Sequence, residues 1–196
     1  SYNSFGSGEV TEQLVQAAAS IASSQATDAV KNEFVGFAIE KVKEKVDSSP
    51  KDARYLVFAG SFYNRIGRYD DALVYLNRAM VESPNKQSIL FETGTAYIGK
   101  GDLQKMFDMF KKAYELKPNA KESINIYAIG AIYTKNVQVL NELATKLDPS
   151  VIINDNRFIK AYSDIGDYQT VINILNERLK SDPNNVQNKL SLASVY

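Results

Sequence analysis

The chain has 196 residues, 44% hydrophobic and 23% charged, the proportions of a folded protein. Its 23 basic and 23 acidic side chains cancel, and an isoelectric point near 6.3 leaves no electrostatic footprint for nucleic acid or an anionic membrane surface. Cysteine and histidine are both absent, which excludes disulfides, thiolate nucleophiles, Ser-His-Asp triads and Cys/His zinc sites, and no cofactor is implied.

Residues 1–8 are small and polar with two glycines and read as an entry segment. From Glu9 to about Ser23, Val10, Leu14, Ala17, Ala18 and Ile21 fall at helical spacings and predict a first helix. Ser23 to Ala26 break it. Thr27 or Asp28 caps a second helix running to about Val46, with Phe34, Phe37, Ala38, Val42 and Val46 as the expected buried stripe. This pair, residues 9–50, is expected to cap the N-terminal end of the fold. No apolar run approaches the roughly 18 residues of a membrane span, so no direct membrane insertion of this stretch is expected. A chain without cysteine suits a cytoplasm and a bacterial periplasm equally, which leaves the compartment open. The start at Ser1, without Met or a signal peptide, suggests a piece of something longer.

From residue 53 a single pattern recurs. Gly60 returns as Gly94, Tyr63 as Tyr97, Gly67 as Gly101, Ala79 as Ala113 and Pro84 as Pro118, all at an offset of 34. A period of this length means stacked supersecondary units. In the first copy, 53–86, Gly60 and Ala72 are small where two helices cross, and Leu56, Ala59 and Tyr63 face inward with Leu76 and Ala79 opposite. Gly67 supplies the left-handed residue after the first helix, Tyr69 plugs the turn, Asp70 is placed to cap the second helix and Pro84 stops it. The second copy, 87–120, departs at Met106, for which Gly94 is expected to leave room. In the third, 121–149, Pro118 to Pro149 spans only 31 residues; three residues are read as missing from a turn, Thr134-Lys135-Asn136, that lacks glycine, and Ala144 is read as the retained small residue. The fourth, 152–185, restores the spacing, with Ile159 and Arg178 replacing small crossing residues. Residues 186–196 match the start of a fifth copy whose helix would expose apolar surface, opening a route to self-association through the C-terminal helix.

The 34-residue helix-turn-helix pattern resembles the tetratricopeptide repeat (TPR) family. That resemblance implies an all-α, right-handed solenoid of stacked antiparallel helix pairs over residues 53–196, and a non-enzymatic scaffold binding a protein or peptide partner. In TPR arrays the first helix of each pair lines a concave groove. The groove positions here include Arg54, Val57, Ser61, Asn64 and Arg65, then Phe91, Thr95, Ile98 and Gly99. They continue with Asn125, Ile129, Ile132 and Tyr133, then Asn156, Lys160, Ser163 and Asp164. Phe91, Ile98, Ile129, Ile132 and Tyr133 make the middle of this stripe apolar, which marks either a partner site or an internal cover, and the two readings stand equally. As anchors for a peptide, Phe91, Ile129 and Ile132 would supply apolar contact, with Arg54, Asn64, Asn125, Asn156 and Lys160 fixing its backbone or charges.

A TPR subclass clamps C-terminal carboxylates with Lys, Asn and Arg at set positions, where this chain has Val57, Ser61, Glu92, Glu122 and Ile126, so that ligand is not expected. A narrower resemblance, carried by Tyr2 to Gly6, Thr11 to Leu14, Asp52 to Tyr55 and Ser61 to Tyr69, is to the soluble TPR tails of bacterial O-antigen ligase or polymerase-like membrane proteins. It implies a membrane domain ahead of this chain and, as an alternative role, contact with a glycan or lipid-linked substrate. Gly94 to Gly101 nearly spells a phosphate-binding loop but ends in glycine instead of Ser or Thr, and its glycines already serve the repeat. The paired acids Asp70 and Asp71, or Asp164 and Asp167, fall at turns and helix starts, where capping and solvation account for them.

Overall fold

The computed structural model describes residues 4–195, with side chains from residue 10. Its helices are α1 (Ser4–Ala22), α2 (Asp28–Ser48), α3 (Ala53–Arg65), α4 (Tyr69–Glu82), α5 (Gln87–Lys100), α6 (Leu103–Leu116), α7 (Lys121–Tyr133), α8 (Val137–Leu143), α9 (Pro149–Asn154), α10 (Asn156–Asp164), α11 (Tyr168–Ser181) and α12 (Val186–Val195). No strand occurs among the described residues, and none of these helices is long and apolar enough to cross a membrane. The chain divides into two compact units, Ser1–Asp102 and Leu103–Tyr196, parted at the turn between α5 and α6.

One turn geometry is used four times. Just past the ends of α3, α5, α7 and α10 stands a left-handed residue: Gly67 and Gly101 at φ 74°, Lys135 at φ 52° and Gly166 at φ 79°. Behind each, the next backbone N–H reaches back to the same carbonyl: Arg68 to Tyr63, Asp102 to Tyr97, Asn136 to Ala131 and Asp167 to Tyr162, at 2.8–3.0 Å. These bonds satisfy orphan carbonyls at each helix end, and within each unit they turn the chain into its antiparallel partner. The third turn therefore keeps full length, with Lys135 in the glycine's place. The three missing residues come instead from the second helix, since α8 has 7 residues where α4 and α6 have 14. Ala144 consequently lies exposed beyond the end of α8 rather than in a crossing, and Pro149 opens α9 rather than closing α8.

In the first unit α3 and α4 form the tightest pair. Leu56, Ala59, Ala72, Leu76 and Ala79 are wholly buried, and Tyr63 stacks on Tyr75 with centroids 5.4 Å apart. The leading helices differ from expectation in two respects. Helix α1 begins at Ser4, so only residues 1–3 of the expected entry segment remain, outside the described residues. On α2, which Thr27 caps, Ala38, Val42 and Val46 are buried, but Phe34 and Phe37 are 42% and 50% exposed, because α1 and α3 pack against the other side of the helix. Asp70 does not cap α4. It sits in the first turn, where a negative charge suits the helix dipole, and pairs with Lys100.

In the second unit α7 is the central element. Every residue from Ser123 to Tyr133 is buried, against α6, α8 and α10 among others. Met106 and Phe110 of α6 reach toward Gly130, where an added Cβ would lie 3.5 Å from the Met106 sulfur and 3.1 Å from a Phe110 ring carbon. The fourth copy does not begin with one helix. The chain breaks at Asp155 (φ −88°, ψ 115°), whose carboxylate accepts the Arg157 N–H at 2.9 Å and starts α10.

Candidate functional site

The groove residues of the first unit are already partnered to differing degrees. Arg54 is exposed and folds back on the Asp52 carboxylate at 2.6 Å; that ion pair and the Arg54 backbone N–H hold the Asp52 carboxyl down to about 2. Asn64 is buried, and its Nδ2 donates to the backbone and carboxylate oxygens of Glu92, both at 2.9 Å, joining α3 to α5. Its Oδ1 has no partner. Phe91 and Ile98 are half-buried, and Thr95 is exposed with its hydroxyl donating to the Phe91 carbonyl at 3.0 Å. Gly99, expected in the groove, underlies a side chain: an added Cβ would come 2.2–2.4 Å from the Tyr69 ring.

In the second unit the apolar stripe is interior. Ile129, Ile132 and Tyr133 are 3%, 2% and 7% exposed and Asn125 is 9%, so these four present little surface to a ligand. The Tyr133 hydroxyl donates to Asp164 at 2.6 Å, and burial, reinforced by that carboxylate, raises its pKa well above the usual phenol range. Lys160 donates to the same carboxylate at 2.7 and 3.0 Å.

A cleft of about 700 Å³ opens in this unit between α10, α11 and α12. Asn156, Lys160 and Ser163 line one wall, Asn188 and Ser191 the other, and Arg178 the floor. Thus four groove positions predicted from sequence, Asn156, Lys160, Ser163 and Asp164, are brought together, while Arg54, Thr95 and Phe91 belong to the other unit. Arg178 stands where the first two copies bury Ala79 and Ala113. Its Nε donates to the Ile153 carbonyl, left free by the break at Asp155, and its Nη1 donates to Asn156 Oδ1 at 2.7 Å. Burial lowers its pKa, and its Nη2 is enclosed without a partner. The floor of the cleft is therefore a cation hydrogen-bonded to neutral oxygens, and Asp164 and Asp182 line the same cleft. The sequence signal for this arrangement was an arginine in an alanine slot, 23 residues after an aspartate flanked by asparagines.

Residues 88–120 match the tetratricopeptide repeat family model. No curated protein matches the chain. Among solved structures, the chain is similar to TTC0263, a TPR protein of Thermus thermophilus, with a TM-score of 0.61 at 14% identity over 94% of this chain and 98% of that one. It is also similar to a TPR protein of Parabacteroides merdae (TM-score 0.58, 17% identity, 96% and 73% covered) and to PilF of Pseudomonas aeruginosa (0.53, 15%, 94% and 82%). These likenesses show the fold: all-α, of TPR type, built from antiparallel helix pairs. They lend no support to the narrower resemblance to O-antigen ligase tails.

Proposed function

We propose that the chain is a non-enzymatic scaffold that binds a protein or peptide partner, and that in the second unit the partner seats in the cleft between α10 and α12. The observation that carries this reading is the cleft itself, whose walls offer carboxamides and hydroxyls on rigid helices, the groups that pair with the N–H and C=O of an extended peptide. Lys160 and Arg178 are balanced in the lining by Asp164 and Asp182, so the cleft offers both signs of charge, and a TPR-type fold is consistent with partner binding. The wider setting, a tail attached to a larger envelope glycan ligase-like protein, rests on the sequence motifs between Tyr2 and Tyr69 alone; hydropathy of the full-length gene product tests it.

The cleft is tested with peptides selected by display on the purified chain and titrated calorimetrically. Asn188→Ala with Ser191→Ala removes two cleft-facing groups, and at about 0.5–1.5 kcal/mol per hydrogen bond the double variant should bind roughly 5- to 150-fold more weakly. Unchanged affinity places the peptide elsewhere, and failure to select any binding peptide refutes the scaffold reading.

A further inference from the structure

The internal repeat supplies its own template for a second site. At the first junction the residue opening α4, Tyr69, lays its ring over Gly99, two positions before the left-handed Gly101. The corresponding residue two periods on is Val137, which opens α8 directly after Lys135 and Asn136. Val137 is too short to do the same and is 64% exposed. Beside it lies an open notch of about 390 Å³, with Ile132, Val137 and Leu140 on one side and Tyr162 and Ile165 on the other. The fold thus leaves vacant, inside the second unit, the kind of place that a tyrosine ring fills in the first.

The rim carries one acid and one base, and only the acid's side chain finds hydrogen-bond partners among the described residues. Asp167 is held by its own helix, accepting from the Thr170 N–H at 3.1 Å and hydroxyl at 2.8 Å. Lys135 at the opposite rim is exposed, and among the described residues no acidic group pairs with it. It is also the one non-glycine residue with positive φ among those described. A left-handed lysine where the other three turns use glycine is a conformational cost retained at the mouth of an apolar notch, a combination that points to use of its side chain.

We infer that this notch binds an aromatic side chain of another protein, presented in an acidic segment so that a neighbouring carboxylate meets Lys135. The site is separate from the α10–α12 cleft, so its failure leaves the proposed function standing. The probe is the peptide Ac-Glu-Tyr-Glu-NH2, titrated into the isotopically labelled chain while the methyl resonances of Val137, Leu140 and Ile165 are followed. Saturable shifts at these three methyls are expected, with affinity at least tenfold lower for Ac-Glu-Ala-Glu-NH2 and at least threefold lower for Ac-Lys-Tyr-Lys-NH2 or for the Lys135→Gly variant. Val137→Tyr should fill the notch from within, abolish the shifts at Leu140 and Ile165 and raise Tm; Val137→Glu, at an exposed position, gives the same loss of binding should the tyrosine variant misfold. Absence of saturable shifts, equal affinity for the alanine peptide, or unimpaired binding by both Val137 variants overturns the inference. Concentration-dependent dimerisation that these variants abolish would overturn the assignment to another protein, by placing a second copy of this chain in the notch.

Discussion

Gly60→Ala isolates the close helix crossing on which the first unit depends. A Cβ at position 60 would lie 2.4 Å from Leu76 Cγ, 2.6 Å from Cδ2 and 3.1 Å from Cδ1. The nearest of these is the branch atom, not the tip, and Leu76 is wholly buried, so the side chain must move bodily and has no open side to move into. Overpacking of that kind costs about 1–3 kcal/mol, and three converging contacts place this case near the top of the range. Alanine in place of glycine within a helix returns about 1 kcal/mol, leaving a net loss of about 2 kcal/mol. Gly36 on α2 provides the control, because a Cβ there meets nothing within 4 Å and the same substitution should stabilise by up to about 1 kcal/mol. Urea unfolding followed by circular dichroism reads both, with a midpoint lower by about 1 M for Gly60→Ala at a typical slope of about 2 kcal/mol/M. Trimming the obstruction with Leu76→Ala should leave only the helix gain of about 1 kcal/mol from the Gly60→Ala step, a coupling of about 3 kcal/mol in the double-mutant cycle. A Gly60→Ala protein as stable as the parent, or the same loss with Leu76 removed, would refute the reasoning.

Other substitutions probe the turns and the cleft floor. Lys135→Gly removes a left-handed lysine whose conformation costs about 1–2 kcal/mol, and after the extra freedom of an unfolded glycine the net gain should be about 0.5–1 kcal/mol by urea unfolding; a loss of stability would contradict the turn geometry. Arg178→Ala deprives the Ile153 carbonyl of its donor and should destabilise by about 1–3 kcal/mol, with faster hydrogen exchange concentrated in α9 and around Asp155. Unchanged exchange there would mean that Arg178 does not hold the broken helix. Asp52 carries a folded-state pKa depressed to about 2 from 3.8, so its stabilising contribution is complete above pH 3.8 and disappears as pH falls toward 2. Asp52→Asn should flatten the acid limb of the unfolding midpoint in that window, and an identical acid limb would discard the link.

The period of 34, the small residue at Gly60 and the left-handed glycines were legible because each repeats, and repetition separates a structural requirement from an accident of composition. Where the signal was a single interval it misled. The distance from Pro118 to Pro149 shows that three residues are lost but not where, and the absence of glycine at Thr134-Lys135-Asn136 pointed to the turn when the loss lies in α8. Helical periodicity on α2 marks the row containing Phe34 and Phe37 as apolar, yet only the position of α1 and α3 decides how much of that row is covered. The stripe of Ile129, Ile132 and Tyr133 presented the same difficulty: α7 is apolar all round, so no face could be read as the solvent side, and its neighbours enclose it. Arg178 illustrates the opposite case, in which a residue that breaks the repeat identifies the local architecture better than one that keeps it.

The most direct test of the proposed binding cleft is a chemical-shift map of a display-selected peptide on the labelled chain. Perturbations concentrated at Asn156, Lys160, Ser163, Asn188 and Ser191 are the predicted result. A saturating peptide that leaves those amides unmoved while shifting residues elsewhere would contradict it.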